Sequence, residues 1–170
     1  MGMVLCLRTI SGSTLKELLA DPESVLDLLD EEGVEDDGNV SDEGTSIDLD
    51  KAWQAIHYLL TGTAEAGQWP SSFLLVGGTL VGDVEVGYGP ARGLTARETS
   101  EVASLLSKTP SALLASRFDG KKMDSAEIYP QIWTRDGKDG LDYIVEYYAQ
   151  LQSFVADAAR KGMGLLVYIS

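Results

Sequence analysis

The sequence predicts an α+β fold, a small sheet that includes N- and C-terminal strands packed by several helices. Three observations predict it. Apolar runs at residues 4–9 and 165–169 read as strands near the two ends of the chain, the second continuous enough to be buried on both faces. Between them the apolar residues mostly recur at helical spacing. The strand candidates do not alternate with helices in the regular order that builds a parallel sheet, so the terminal strands are expected to share one small sheet. At 170 residues the chain fits a single domain, 1–170.

The elements follow in order. After the first strand, Thr14 and Glu17 stand at capping-box spacing and open a short helix through Leu19. Asp21 and Pro22 open another, with Val25, Leu26, Leu28 and Leu29 as its apolar residues. Residues 46–62 read as one complete helix. Asp48 or Asp50 caps its start, Trp53, Ile56, His57 and Leu60 share a face, and Gly62 ends it in the left-handed conformation. Gly67 to Pro70 form a turn, and residues 73–76 are apolar but ambiguous in type. Six glycines between residues 77 and 93 frame a short edge strand around Val84 and Val86. Thr95 and Glu98 form a second capping box, ahead of a helix burying Val102, Leu105 and Leu106. Thr109 and Pro110 open a helix with Leu113 and Leu114. Ile128, Tyr129 and Pro130 are extended, because a residue before proline avoids the helical region. Leu141, Ile144, Val145, Tyr148, Leu151, Val155 and Ala158 mark one long amphipathic helix, broken by Gly162 and Gly164.

Charge is unevenly placed. The net charge is −14, and residues 21–50 hold 13 of the 27 acids with no lysine or arginine. The centre, 31–44, reads as a mobile, solvated segment, since it cannot bury enough apolar area to order itself. The functional reading of residues 21–50 is a docking patch for a basic protein partner. Nucleic-acid binding is excluded by the lack of basic surface. The oxygen-bearing residues 37–42 lack the glycine and glutamate positions of a calcium loop. No run approaches the ~20 apolar residues of a membrane span, and the start of the chain lacks a charged signal region. A cytoplasmic protein is expected. Cys6, the only cysteine, is expected as a small buried hydrophobe.

Chemistry is sparse. With one histidine, any histidine-based triad has to use His57. Its two readings are a hydrogen-bonded core ring beside Trp53, or a general acid or base in a cleft. Residues 87–93 miss the dinucleotide fingerprint spacing by one residue and have no phosphate-loop lysine. They read either as a turn before the Thr95 helix, or as an anion-holding loop in which residues Gly89 to Arg92 receive a small anionic ligand. Tyr129, with Asp124 and Glu127, lines either a polar cleft or a wet core edge. The candidate catalytic residues are therefore His57, Arg92 and Tyr129. No cofactor and no metal site is expected, since zinc usually takes several His or Cys ligands.

Several motifs carry a family resemblance. They are Met1-Gly2-Met3 leading into a strand; Leu49-Asp50-Lys51-Ala52-Trp53 with His57 and Leu60-Thr61-Gly62; Gly87-Tyr88-Gly89-Pro90-Ala91-Arg92; Met123 with Ile128-Tyr129-Pro130 and Trp133; and the late helix with its final strand. Together they resemble the YfbM-like family of bacterial proteins, a domain of unknown function, over nearly the whole chain. The resemblance implies a small cytoplasmic α+β domain and assigns no catalytic role. Two function classes follow: a non-catalytic protein- or ligand-binding or regulatory protein, and, as the alternative, an enzyme acting on a small anionic or polar substrate through His57 and Arg92.

Overall fold

A computed structural model describes residues 2–31 and 44–170. The terminal strands β1 (Leu5–Ile10) and β5 (Gly164–Ile169) pair antiparallel, with Leu7 opposite Val167. Around them lie β2 (Ser46–Asp48), β3 (Thr79–Leu80) and β4 (Arg92–Leu94), giving an antiparallel sheet in the order β2-β1-β5-β4-β3. The α+β expectation holds.

Both sheet faces are covered, which is why β5 is apolar at every position. On one face, Leu5, Leu7, Leu94, Leu165 and Val167 join the larger core with α3 (Trp53–Thr61), α4 (Ala96–Ser107) and α8 (Lys138–Arg160). On the other, Ile10, Leu166 and Tyr168 meet Leu15, Leu18 and Val25 of α1 (Gly12–Ala20) and α2 (Ser24–Asp30). Three short helices, α5 (Ser111–Ser116), α6 (Gly120–Ser125) and α7 (Trp133–Asp136), lie in sequence between α4 and α8.

The caps show where local sequence decides. Thr95 and Glu98 form the expected capping box of α4. The first box does not form: Ser11 caps α1 by accepting from the Thr14 N–H, so Thr14 lies inside the helix. The stretch 46–62 is not one helix. Ser46–Asp48 pairs with β1, and α3 begins only at Trp53, with Ala52 at the cap position and no side-chain cap. Gly62 ends it left-handed, as expected (φ 79°). Trp53 is 5% exposed, donates from Nε1 to the Met3 carbonyl (3.0 Å) and packs against Tyr129 with centroids 5.8 Å apart.

In the glycine-rich stretch the strand is Thr79–Leu80 rather than the Val84–Val86 region, because Thr79 and Leu80 are the residues that register with β4. Two glycines there serve packing. A Cβ at Gly78 (φ 73°) would lie 2.6 Å from the Gly93 carbonyl oxygen, and one at Gly87 would lie 2.7 Å from that of Ile169. The acidic centre 31–44 falls, between its end residues, outside the described residues.

Candidate functional site

The three sequence candidates stand at two places. His57, in the second turn of α3, is 0% exposed. Its Nε2 lies 2.9 Å from the Ala66 carbonyl. A carbonyl only accepts, so Nε2 carries the proton and Nδ1 is left as a buried lone pair without a hydrogen-bond partner. Burial holds the imidazole below its ordinary pKa; the Ala66 bond opposes it, and the Arg92 charge, which lowers, and Glu65, which raises, act more weakly still. His57 is a neutral core ring.

Arg92 sits on β4 with its fork turned inward. Nη1 donates to the Gly77 carbonyl (2.7 Å), and Nη2 to those of Phe73 (2.9 Å) and Leu74 (2.6 Å). It thereby collects the carbonyls at the end of the tight turn 70–77 and ties that turn to the sheet. Burial lowers its pKa to about 10. A small anion at Gly89 to Arg92 would compete with these three carbonyls for the guanidinium.

Tyr129 lies against the first turn of α3. Its N–H donates to Gln54 Oε1 (2.8 Å), and its hydroxyl accepts from the Met3 N–H (3.0 Å). Those bonds pin the start of the chain to the core. Asp124 accepts from the N–H groups of Trp133 and Thr134, and its pKa is lowered, first by the Thr134 side chain and less by these two backbone bonds. No hydrogen bond joins Tyr129 to His57 or Arg92 among the described residues.

A different group of side chains gathers where the strand-to-helix turn 48–52 meets α8. Asp50 is left-handed (φ 43°), a conformation that Asp and Asn adopt more readily than most residues. Its N–H donates to Asp48 Oδ1 (3.0 Å). The Tyr143 hydroxyl donates to Asp50 Oδ2 (2.8 Å) and accepts from the Lys51 N–H (3.0 Å). Tyr147, one turn on, meets Tyr143 edge-on at 5.1 Å. Burial raises the Tyr143 phenol, with the Asp50 bond second; burial and then the charges of Asp50, Asp48 and Glu146 raise that of Tyr147. Two half-buried rings thus stand among three carboxylates at the end of the edge strand. Lys51 is exposed, and its Cε and Nζ lie within 3.3 Å of where a Gly2 Cβ would be, beside the Tyr129 hydroxyl.

Sequence reasoning saw Asp48 and Asp50 as helix caps and as part of the acidic stretch 21–50, and missed Tyr143 and Tyr147 as surface groups. The two tyrosines stand four apart on a helix, which is the one signal that was present. Among the described residues, no three His, Cys, Asp or Glu side chains converge as a metal would need, and no helix is long and apolar enough to cross a membrane.

The fold is similar to the crystal structure of YfbM, a protein of unknown function from Escherichia coli. The TM-score is 0.72 at 21% sequence identity, over 98% of this chain and 99% of that chain. A family model described as a domain of unknown function (DUF1877) matches residues 1–168. No curated protein matches the chain.

Proposed function

Because the chain belongs to the DUF1877 family, whose description assigns no activity, we propose its function from its surface: a non-catalytic protein that docks a basic protein partner. The observation that carries this reading is the gathering of Asp48, Asp50 and Glu146 around Tyr143 and Tyr147 at one edge of the sheet. Asp48 and Asp50 close the stretch 21–50, which has 13 acids and no base. Carboxylates steer a cationic partner inward, and tyrosine faces give a lysine or arginine apolar contact and cation–π attraction. An enzyme working through His57 and Arg92 would need a buried ring uncovered and a guanidinium that already donates to three carbonyls turned to a substrate.

The test is fluorescence anisotropy of labelled deca-lysine titrated with the full chain. Binding is expected at low salt and weakens as salt rises from about 50 to about 200 mM, since exposed charges are screened over that range. Deca-glutamate is expected not to bind. Failure of deca-lysine to bind at low salt contradicts the reading.

A further inference from the structure

Away from the acidic cluster the chain reverses its charge. Residues 102–123 hold four bases, Lys108, Arg117, Lys121 and Lys122, against one acid, Asp119. Arg117 and Lys122 line a groove of about 440 Å³ at the C-terminal end of α3, together with Leu60, Thr61 and Asp119. That volume falls in the range of small-molecule sites.

The two cations are placed but not neutralised. Arg117 Nη1 donates to the Leu59 carbonyl (2.9 Å), which holds the guanidinium against the last turn of α3 and leaves the rest of its fork unused. The Lys122 backbone N–H donates to Asp119 Oδ1 (3.1 Å), so the carboxylate caps α6 while the Lys122 side chain stays exposed. Among the described residues, neither Arg117 nor Lys122 forms an ion pair.

The same groove offers acceptors. A helix leaves its last carbonyls without intrahelical partners. In α3 that of Tyr58 accepts from the Gly62 N–H, and that of Leu59 accepts from Arg117. Those of Leu60 and Thr61 receive no hydrogen bond among the described residues, and they stand at the negative end of the helix dipole. Unpaired cations and open acceptors therefore line one concavity. A bare anion there would meet the carbonyls and Asp119 as well as the cations. A bare cation would meet Arg117 and Lys122. A molecule carrying both charges on a short chain satisfies both sets.

We infer that this groove binds a small zwitterion with an oxyanion at one end and an ammonium at the other. Arg117 and Lys122 take the oxyanion; the Leu60 and Thr61 carbonyls and Asp119 take the ammonium. Carboxylate and phosphate share the geometry that a guanidinium fork recognises. The site lies apart from the acidic cluster, and the inference does not rest on the docking reading.

The experiment is amide NMR of the full chain, titrated at low salt with four probes. β-Alanine and phosphoethanolamine are zwitterions that differ in the oxyanion. Inorganic phosphate and ethanolamine each carry one half of the pair. At least one zwitterion is expected to shift the Leu60 to Gly62 and Gly120 to Lys122 amides saturably. It should bind at least about tenfold more tightly than phosphate or ethanolamine, as one added charge-assisted hydrogen bond implies. The tighter of the two zwitterions identifies the oxyanion. Lys122→Gln keeps the backbone N–H that Asp119 accepts, so it should melt like the parent and bind the zwitterion about tenfold more weakly. Arg117→Gln should weaken binding as well; because Arg117 also ties down α3, the Lys122 variant decides if that protein folds poorly. Failure of both zwitterions to bind overturns the proposal. So does phosphate or ethanolamine binding as tightly as the better zwitterion, or zwitterion binding unchanged in Lys122→Gln. None of these outcomes bears on deca-lysine binding at the acidic cluster.

Discussion

At the scale of the residue, His57 shows how burial turns a reactive group into a structural one. Its Nε2–H is committed to the Ala66 carbonyl, and a proton on Nδ1 would place a charge in the core near Arg92. The folded protein therefore resists protonation, whereas the unfolded chain protonates at about pH 6.5. The sign follows directly. Below about 6.5 the unfolded state binds a proton that the folded state does not, so stability rises with pH through that window and falls as the medium is acidified. One such group contributes about 1 kcal/mol per pH unit there. Denaturant melts of the parent and of His57→Gln between pH 7 and 5.5 check this: the parent should lose stability more steeply. Equal slopes would mean that the ring is reached by solvent. The sequence made His57 conspicuous by its singularity and its place beside Trp53. It could not show the orphaned Nδ1, because the partner carbonyl of Ala66 carries no side-chain signature.

At the scale of the element, Arg92 and the strand β2 mark the limit of what the sequence discloses. The terminal strands, the capping box at Thr95 and the long helix were legible because each signal is local: a continuous apolar run, a Thr–Glu spacing, a 3.6-residue period. The strand Ser46–Asp48 was hidden because Asp48 and Asp50 imitate helix caps. Only the pairing of Leu7 with Ile47, forty residues apart in sequence, makes it a strand. Likewise Tyr143 finds Asp50 across 93 residues. Arg92 looked like an anion fork because its three acceptors are backbone carbonyls of a turn that precedes it by 15 to 19 residues. Truncating it leaves those carbonyls without their charged donor. Arg92→Ala should cost about 3 kcal/mol, as buried acceptors that lose a partner do. Arg92→Lys should recover only part of this, since an ammonium cannot span three carbonyls as a planar fork does. Thermal or urea melts decide it, and an Arg92→Ala protein as stable as the parent would show that the tie between the turn and β4 is dispensable.

At the scale of the whole molecule, the charge of −14 is a property of one region rather than of the surface at large. Outside residues 21–50 acids and bases nearly balance, and much of that balance is visible as exposed pairs such as Arg97 with Glu101 and Lys138 with Asp142. Pairs of this kind contribute little to stability. The carboxylates at the end of β2 are a different case, since they stand around two tyrosine rings. The composition revealed the excess charge; only the fold revealed the edge it borders. The central claim is that these carboxylates receive a basic partner. It is tested most directly by the dissociation constant for deca-lysine of a variant carrying Asp48→Asn, Asp50→Asn and Glu146→Gln. Asparagine at 50 tolerates the left-handed backbone and still accepts from Tyr143, and asparagine at 48 still accepts from the Asp50 N–H position, so the fold should be kept. The account predicts an unchanged melting temperature and binding weakened at least about tenfold, as loss of about 1.4 kcal/mol implies. Binding as tight as the parent's, in a variant that melts like it, would contradict the account.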